Sequence, residues 1–254
     1  MACPLVNQLL DPTQDTESNE TAYPSVQRQH VMGPVVFITA AQRFPLIGAQ
    51  KHKISFSKST THTSAGRGTP KSGEEHMIIA LSGRRVDAVG AKQARFPLRN
   101  VPAVKKVLRR FLRRTSATCL VSSAACGADL LALSEAASLG LRRRIVIPFG
   151  REKFRETSVV DRPGDWDRIY DETMDQIEAA GDLIVLADVS GDQAYSGVNH
   201  VILDEAISLG QKLGEVVSAA LVWDGVTRGV GDFTEEFGTE ARKKGIEVFE
   251  LSTL

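Results

Sequence analysis

The sequence has 254 residues, of which 42% are hydrophobic and 24% charged, and its formal net charge is +0. A chain of this length can bury one sizeable core, and the balanced charge favours neither a nucleic-acid partner nor a membrane surface. No apolar run approaches the roughly 20 residues that cross a bilayer, and the first residues lack the basic-then-apolar order of a secretion signal. We therefore expect a cytoplasmic protein without a membrane partner.

The three cysteines are Cys3, Cys119 and Cys126. They are few, odd in number and lack the spacing of metal ligands, as is typical of a protein kept in a reducing compartment. The sequence therefore predicts no metal site, and we expect no cofactor.

Residues 1–75 differ in composition from the rest of the chain. They are rich in Ser, Thr, Gln, Asn, Pro and Gly, and no apolar period is sustained there. At Met77 the composition changes abruptly to the apolar run MIIALSG. We interpret 1–75 as a disordered, low-complexity extension, or as sequence upstream of a true start at Met77, and we assign the folded domain to 77–254.

Six apolar, strand-like runs follow, separated by segments with helical spacing. The clearest helix is VPAVKKVLRRFLRR, in which apolar residues recur at steps of three and four. Continuous apolar strands that alternate with helices are typical of a parallel sheet covered on both faces, which predicts one α/β domain. The predicted strands are Ile78–Ser82, Thr118–Ser123, Arg144–Phe149, Asp182–Asp188, Ser218–Asp224 and Glu247–Leu251.

The predicted strands end in small, polar or charged residues. In open parallel sheets, ligands bind beyond the carboxyl ends of the strands, so these ends together predict a polar ligand cleft. The strand ends are Ser82-Gly83-Arg84-Arg85, Ser122-Ser123-Ala124, Pro148-Phe149-Gly150, Asp188-Val189-Ser190-Gly191 and Trp223-Asp224-Gly225.

Two of these strand ends suggest a phosphate site. Gly127 and the start of the helix at Asp129 offer backbone N–H groups and the positive end of a helix dipole. Arg84 leaves the first strand towards the same cleft, and an arginine fork suits phosphate geometry. We therefore predict a phosphate between the Gly83 loop and the Ser122–Asp129 turn, with Asp129 acting more as a local brace than as a ligand contact.

A second glycine-rich loop, GVGDFTEEF, precedes the last predicted helix. The backbone at Gly229 and Gly231 can approach a ligand closely, and Glu235 is expected in the first helical turn, pointing at the cleft. The alternative is an ordinary loop whose acidic residues stabilise a helix N-terminus. Tyr195 and Trp223 are candidates for stacking on a base, although a buried aromatic side chain at such a position is equally ordinary.

The motifs ALSGRR, VSSAACGADLLALSEAASLG and GVGDFTEEF together resemble the SLOG superfamily. This Rossmann-like group contains the "lonely guy" cytokinin-activating phosphoribohydrolases and the DNA-processing recombination mediators, and the likeness covers about residues 77–251. It implies a single Rossmann-like, doubly wound, mainly parallel sheet of about six strands, with Arg84 in the family's arginine position. The last loop departs from the family pattern, because Asp232 stands at the phosphate-binding threonine position unless Thr234 takes that role.

The resemblance implies three functions. The first is a sensor or signalling module that binds a nucleotide or nucleotide-derived ligand. The second is an enzyme that hydrolyses the N-glycosidic bond of a nucleoside 5′-monophosphate, with Glu235 as its catalytic carboxylate. The family's Arg-Lys pair is missing, so we expect binding without rapid turnover.

The third is nucleic-acid binding through the basic residues of the VPAVKKVLRRFLRR segment, a pattern that more often marks a solvated helix face. The sequence leaves the oligomeric state open, a homodimer included.

Overall fold

The structure is a computed structural model that describes residues 76–186 and 192–254. The predicted extension at 1–75 and the predicted strand end Asp188–Gly191 lie outside the described residues.

Six parallel strands form one sheet in the order β4-β3-β2-β1-β5-β6. The prediction of a single doubly wound parallel sheet of about six strands is therefore confirmed. The fourth strand is shorter than its apolar run suggested. The strands are β1 (Met77–Gly83), β2 (Ala117–Ser122), β3 (Arg142–Ile147), β4 (Leu183–Val185), β5 (Val216–Trp223) and β6 (Glu247–Ser252).

Within the described residues, six α-helices and a short 3-10 turn at Leu98–Asn100 connect the strands. Among the described helices, none combines the length and the apolar character needed to cross a bilayer. The helices are α1 (Val101–Arg114), α2 (Ala128–Ser138), α3 (Arg151–Ser158), α4 (Trp166–Ala180), α5 (Asp192–Leu213) and α6 (Phe233–Lys243).

The strands alternate their side chains between two apolar layers. Ile79 and Leu81 face the layer that contains α1, α2 and α4, whereas Ile78 and Ala80 face the layer that contains α5 and α6. Because a strand side-chain pattern has a period of two, a run that is apolar at every position must be buried on both faces. The stripe predicted on α1 is also present, since this helix buries Val104, Leu108, Phe111 and Leu112.

The parallel strands β1 and β5 lie side by side, and the direction in which successive strands are added to the sheet reverses between them. The connection from β1 passes through α1 to β2 on one side, and the connection from β5 passes through α6 to β6 on the other. The loops that follow β1 and β5 therefore diverge, and divergence of this kind opens a crevice at the carboxyl edge of a doubly wound sheet. This switch point is where the fold itself favours a ligand site.

The loop after β1 and the turn before α2 lie in direct contact. A Cβ atom at Gly83 would fall 2.4 Å from the Cβ of Ala128, and one at Gly127 would fall 2.8 Å from the carbonyl oxygen of Arg84. Gly127 also has a φ of +99°, which side chains rarely adopt. The backbone N–H of Ala128 donates to Arg84 O over 3.1 Å. Close packing between the two backbones thus accounts for both glycines.

We expect the Gly127→Ala substitution to lower the free energy of unfolding by about 2–4 kcal/mol, because it adds a positive-φ penalty to a steric clash. The matched control is Gly140→Ala, since Gly140 has a φ of +71° and nothing within 4 Å of an added Cβ. That control should cost only about 1 kcal/mol. Urea unfolding of both variants measures the difference, and equal losses would contradict the packing argument.

Candidate functional site

The switch point is filled by a buried cluster of one arginine and two aspartates, Arg84, Asp224 and Asp232. The guanidinium Nη1 and Nη2 of Arg84 donate to the two carboxylate oxygens of Asp232 over 2.5 and 2.8 Å, and its Nε donates to Asp224 Oδ1 over 3.0 Å. The three side chains are only 1–2% exposed. Nη2 also donates to Val226 O over 2.8 Å. We call these three residues the switch-point cluster.

Pairing with opposite charge favours the charged forms of Arg84 and Asp232 despite their burial. Burial alone would lower the pKa of Arg84, but the hydrogen bonds and charges of Asp232 and Asp224 raise it overall. Burial alone would raise the pKa of Asp232, but Arg84 and the backbone N–H groups of Arg228 and Glu235 lower it overall. A buried charge without such a partner costs several kcal/mol, so the Asp232 carboxylate depends on Arg84.

Asp232 also begins α6, where it occupies the N-cap position. Its carboxylate accepts the backbone N–H groups of Arg228, Thr234 and Glu235 over 2.8, 3.2 and 3.4 Å. A carboxylate at this position satisfies unpaired N–H groups and matches the positive end of the helix dipole. Thr234, a predicted phosphate ligand, is buried and contributes its N–H to this cap.

Arg95 is a second cation at this edge, and the sequence reading did not assign it to the site. Its Nη1 donates to Asp224 Oδ2 and to Val226 O, each over 2.8 Å. The carboxylate of Asp87 accepts the backbone N–H groups of Arg95 and Phe96, which holds this segment beside the cluster. Arg95 therefore supplies a second ion-pair partner to Asp224.

A cleft of about 440 Å³ opens beside the switch-point cluster, between the 229–231 loop, α5 and α6. Glu235 and Glu236 lie in its wall, where Thr227 Oγ1 donates to Glu235 and Ser196 Oγ donates to Glu236 Oε2 over 3.0 Å. The structure thus brings Gly229, Gly231 and Glu235 together, and their ligand roles stay predictions. The lining residues are His200, Gly229, Gly231, Asp232, Glu235, Glu236, Thr239, Glu240 and Lys243.

The other predicted phosphate residues lie at the junction of β1 and α2, and they are not part of the cleft lining. Gly83 and Gly127 pack against protein atoms there, as described above. Ser122 is fully buried, and its Oγ donates to Ser123 O over 2.7 Å. A phosphate at this junction stays a prediction. The guanidinium of Arg84 is already hydrogen-bonded to Asp224 and Asp232.

Asp129 lies under the same junction and is 6% exposed. Its Oδ2 accepts the backbone N–H of Ala125 over 3.3 Å, while its Oδ1 has no hydrogen-bond partner among the described residues. Burial raises the pKa of this carboxyl to about 7, and the N–H groups of Ala125 and Gly83 and the charge of Arg85 offset only part of that rise. The role of Asp129, as a brace or as a ligand contact, stays a prediction.

The two aromatic candidates both contact protein groups. The Tyr195 ring packs 5.5 Å from the Phe233 ring, and its hydroxyl lies 3.4 Å from Ser158 Oγ. The Trp223 ring lies 5.5 Å from the guanidinium carbon of Arg84, and its Nε1 donates to Glu250 over 3.1 Å. Base stacking by either ring stays a prediction.

The fold and the switch-point cluster define a doubly wound α/β protein with a polar site at the carboxyl edge of its sheet. No protein-family profile matches the sequence, and no curated protein matches it. Among solved structures, the chain is similar to DNA processing protein A (DprA) from Streptococcus pneumoniae, with 17% identity and a TM-score of 0.30. The match covers 66% of this chain and 61% of the DprA chain. A similarity at this level carries no argument about function.

We expect the buried Asp129 to make the protein less stable as the pH rises. The folded state keeps this proton up to about pH 7, whereas the unfolded chain loses it near 3.8. The folded state therefore binds more protons between these values, and the free energy of unfolding falls with pH across this window. Asp129→Asn should remove that fall and stabilise the protein at pH 8 by on the order of 1–3 kcal/mol.

Denaturant unfolding at pH 5 and pH 8 measures this effect. The control is Asp175→Asn, because the Asp175 side chain is 70% exposed. A pH dependence that is identical in the Asp129→Asn variant and the unaltered protein would show that the Asp129 carboxyl does not hold its proton in the fold.

Proposed function

We propose that the chain binds a nucleotide or nucleotide-derived ligand, as a sensor or signalling module, with the ribose in the cleft beside α6. The observation that carries this proposal is the cleft of about 440 Å³ next to the switch point, bounded by the 229–231 loop and by acidic side chains of α6 that include Glu235 and Glu236. Sites for small organic ligands typically measure about 300–1,000 Å³ and occur at switch points of this kind.

The chemistry of the cleft wall suits a vicinal diol. Glu235 and Glu236 already accept hydrogen bonds from the hydroxyl groups of Thr227 and Ser196, so the wall presents carboxylate oxygens to O–H donors. A carboxylate has about four acceptor positions, so one protein hydroxyl leaves capacity for a ligand. The two hydroxyls of a ribose can donate to both side chains, and the exposed backbone at Gly229 and Gly231 permits close approach.

We expect calorimetry to detect binding of ribonucleosides or their 5′-phosphates to the full chain. The Glu236→Gln substitution should weaken that binding by about tenfold, the scale of one hydrogen bond to a charged group. The 2′-deoxy analogues should lose a similar factor, since they lack one donor.

The matched control is Glu247→Gln, because Glu247 is exposed at the start of β6, the opposite edge of the sheet. Equal affinity for ribose and deoxyribose ligands would contradict the assignment of the carboxylates. The absence of binding by all of these ligands would contradict the proposal itself.

The same samples distinguish binding from hydrolysis. Glu235 is the carboxylate that a glycosidase of this type would use, and Thr227 fixes its position in the wall. Chromatography of the incubated mixtures shows whether free base appears. Release that disappears in a Glu235→Gln variant would make the chain an enzyme, and binding without release would support a sensor.

A second candidate function, nucleic-acid binding, is favoured by the exposed face of α1. This helix contains no acidic residue, and Arg110, Arg113 and Arg114 form no salt bridge with any described residue. Only Lys105 and Arg109 are paired, both with the buried Glu135. One helical turn advances about 5.4 Å, so residues three and four apart can contact neighbouring phosphates of one strand.

Fluorescence anisotropy with a labelled single-stranded oligonucleotide tests this second candidate. If α1 binds the backbone, replacing Arg110, Arg113 and Arg114 with glutamine should reduce the slope of log affinity against log salt by about 2, since each phosphate contact contributes about 0.7. Replacing Lys212, Lys243 and Lys244 removes the same charge from α5 and the end of α6 and serves as the control. A slope that changes equally in both variants would indicate a non-specific charge effect.

A further inference from the structure

The carboxylate of Asp232 occupies the position at which an anionic ligand would bind. A glycine-rich loop followed by a helix N-terminus is a ready anion site, because its N–H groups point outwards and the dipole favours negative charge. Here those N–H groups, from Arg228, Thr234 and Glu235, point at Asp232. The Nη1 and Nη2 groups of Arg84 also donate to the Asp232 carboxylate. The anion of this loop is therefore part of the protein.

Displacing Asp232 would be costly. The Asp232 side chain is 1% exposed and that of Arg84 is 2% exposed, so a phosphate that took the arginine would leave a buried carboxylate without its cation. The phosphate would also meet Glu235, Glu236 and Glu240 in the cleft wall, and all of these carboxylates repel it.

The cations near the cleft do not offset this repulsion. Arg228 Nη2 lies 3.8 Å from Asp232 Oδ1, and the Arg228 side chain is half-exposed. Lys243 Nζ lies 3.5 Å from Glu240 Oε2. Each of them already faces a carboxylate of the protein. The described lining of the cleft therefore presents hydrogen-bond acceptors, and Arg228 and Lys243 are each engaged with a carboxylate of the protein. Such a lining favours neutral hydrogen-bond donors over anions.

We propose that Asp232 determines the specificity of the cleft: it fills the phosphate position and restricts the cleft to an unphosphorylated ribose, as in a ribonucleoside or the free nucleoside end of a larger ligand. This inference rests on the proposed function for the identity of the ligand. The filled anion position, however, can be tested without any nucleoside.

The decisive variant is Asp232→Asn. Asparagine keeps the oxygen that caps α6 and removes the negative charge, while Asp224 continues to hold Arg84. At constant ionic strength, inorganic phosphate should bind this variant at least about tenfold more tightly than it binds the unaltered chain. The unaltered chain should prefer adenosine to AMP, and the variant should prefer AMP.

Two controls separate this effect from a general loss of charge. Asp204→Asn removes an equivalent charge from the surface of α5, where the side chain is 61% exposed, and should leave phosphate affinity unchanged. Adding Arg84→Gln to Asp232→Asn should abolish the gain, because the Nη1 and Nη2 groups that donate to the Asp232 carboxylate are the expected phosphate donors. If Asp232→Asn does not fold, Asp232→Ser, which also suits an N-cap, replaces it in the same assays.

Equal phosphate affinity in the unaltered chain and in the folded variant would overturn the inference, as would a preference of the unaltered chain for AMP over adenosine. If neither nucleosides nor nucleotides bind the unaltered chain, the proposed function fails. A phosphate gain confined to the Asp232 variant would still show that this carboxylate fills the anion position.

Discussion

The two-pronged contact between Arg84 and Asp232 is the interaction on which the switch point depends. It joins the end of β1 to the start of α6, and Asp224 at the end of β5 completes the pairing. Three loops that a doubly wound fold would otherwise leave apart are thereby held at one place. Because the Arg84 and Asp232 side chains are buried, removing the arginine would deprive the Asp232 carboxylate of its main cation, whereas Asp224 would keep Arg95 as a partner.

The two glycine-containing regions near the switch point differ in how open they are. The junction of β1 and α2 is closed by backbone packing at Gly83 and Gly127, whereas the space beside α6 is open and acidic. Glycines occur in both regions for different reasons. Gly83 and Gly127 allow close backbone contact, whereas Gly229 and Gly231 lie in an accessible loop. The open cleft therefore lies on the β5–α6 side of the switch point.

The fold could be predicted from the sequence because the central strands β1, β2 and β5 are largely apolar runs and the connections have helical spacing, as the stripe on α1 illustrates. The positions of Gly229, Gly231 and Glu235 at one cleft also follow from local sequence, since they share one loop and one helical turn. The pairing of Arg84 with Asp232 could not be predicted in this way. It joins residues 148 positions apart, and an arginine after a strand has the same local pattern whether it meets a ligand or a carboxylate.

The long sequence separation within the switch-point cluster has a consequence for the order of folding. Arg84 lies near the start of the domain, and its partners lie 140 and 148 residues further along the chain. Closing so long a loop is slow, and its entropy must be offset by other contacts first. During synthesis, a chain that has emerged only as far as β4 contains Arg84, but its partners Asp224 and Asp232 have not yet been synthesised. The switch-point cluster can then form only after β5 pairs with β1 and α6 brings the Asp232 carboxylate.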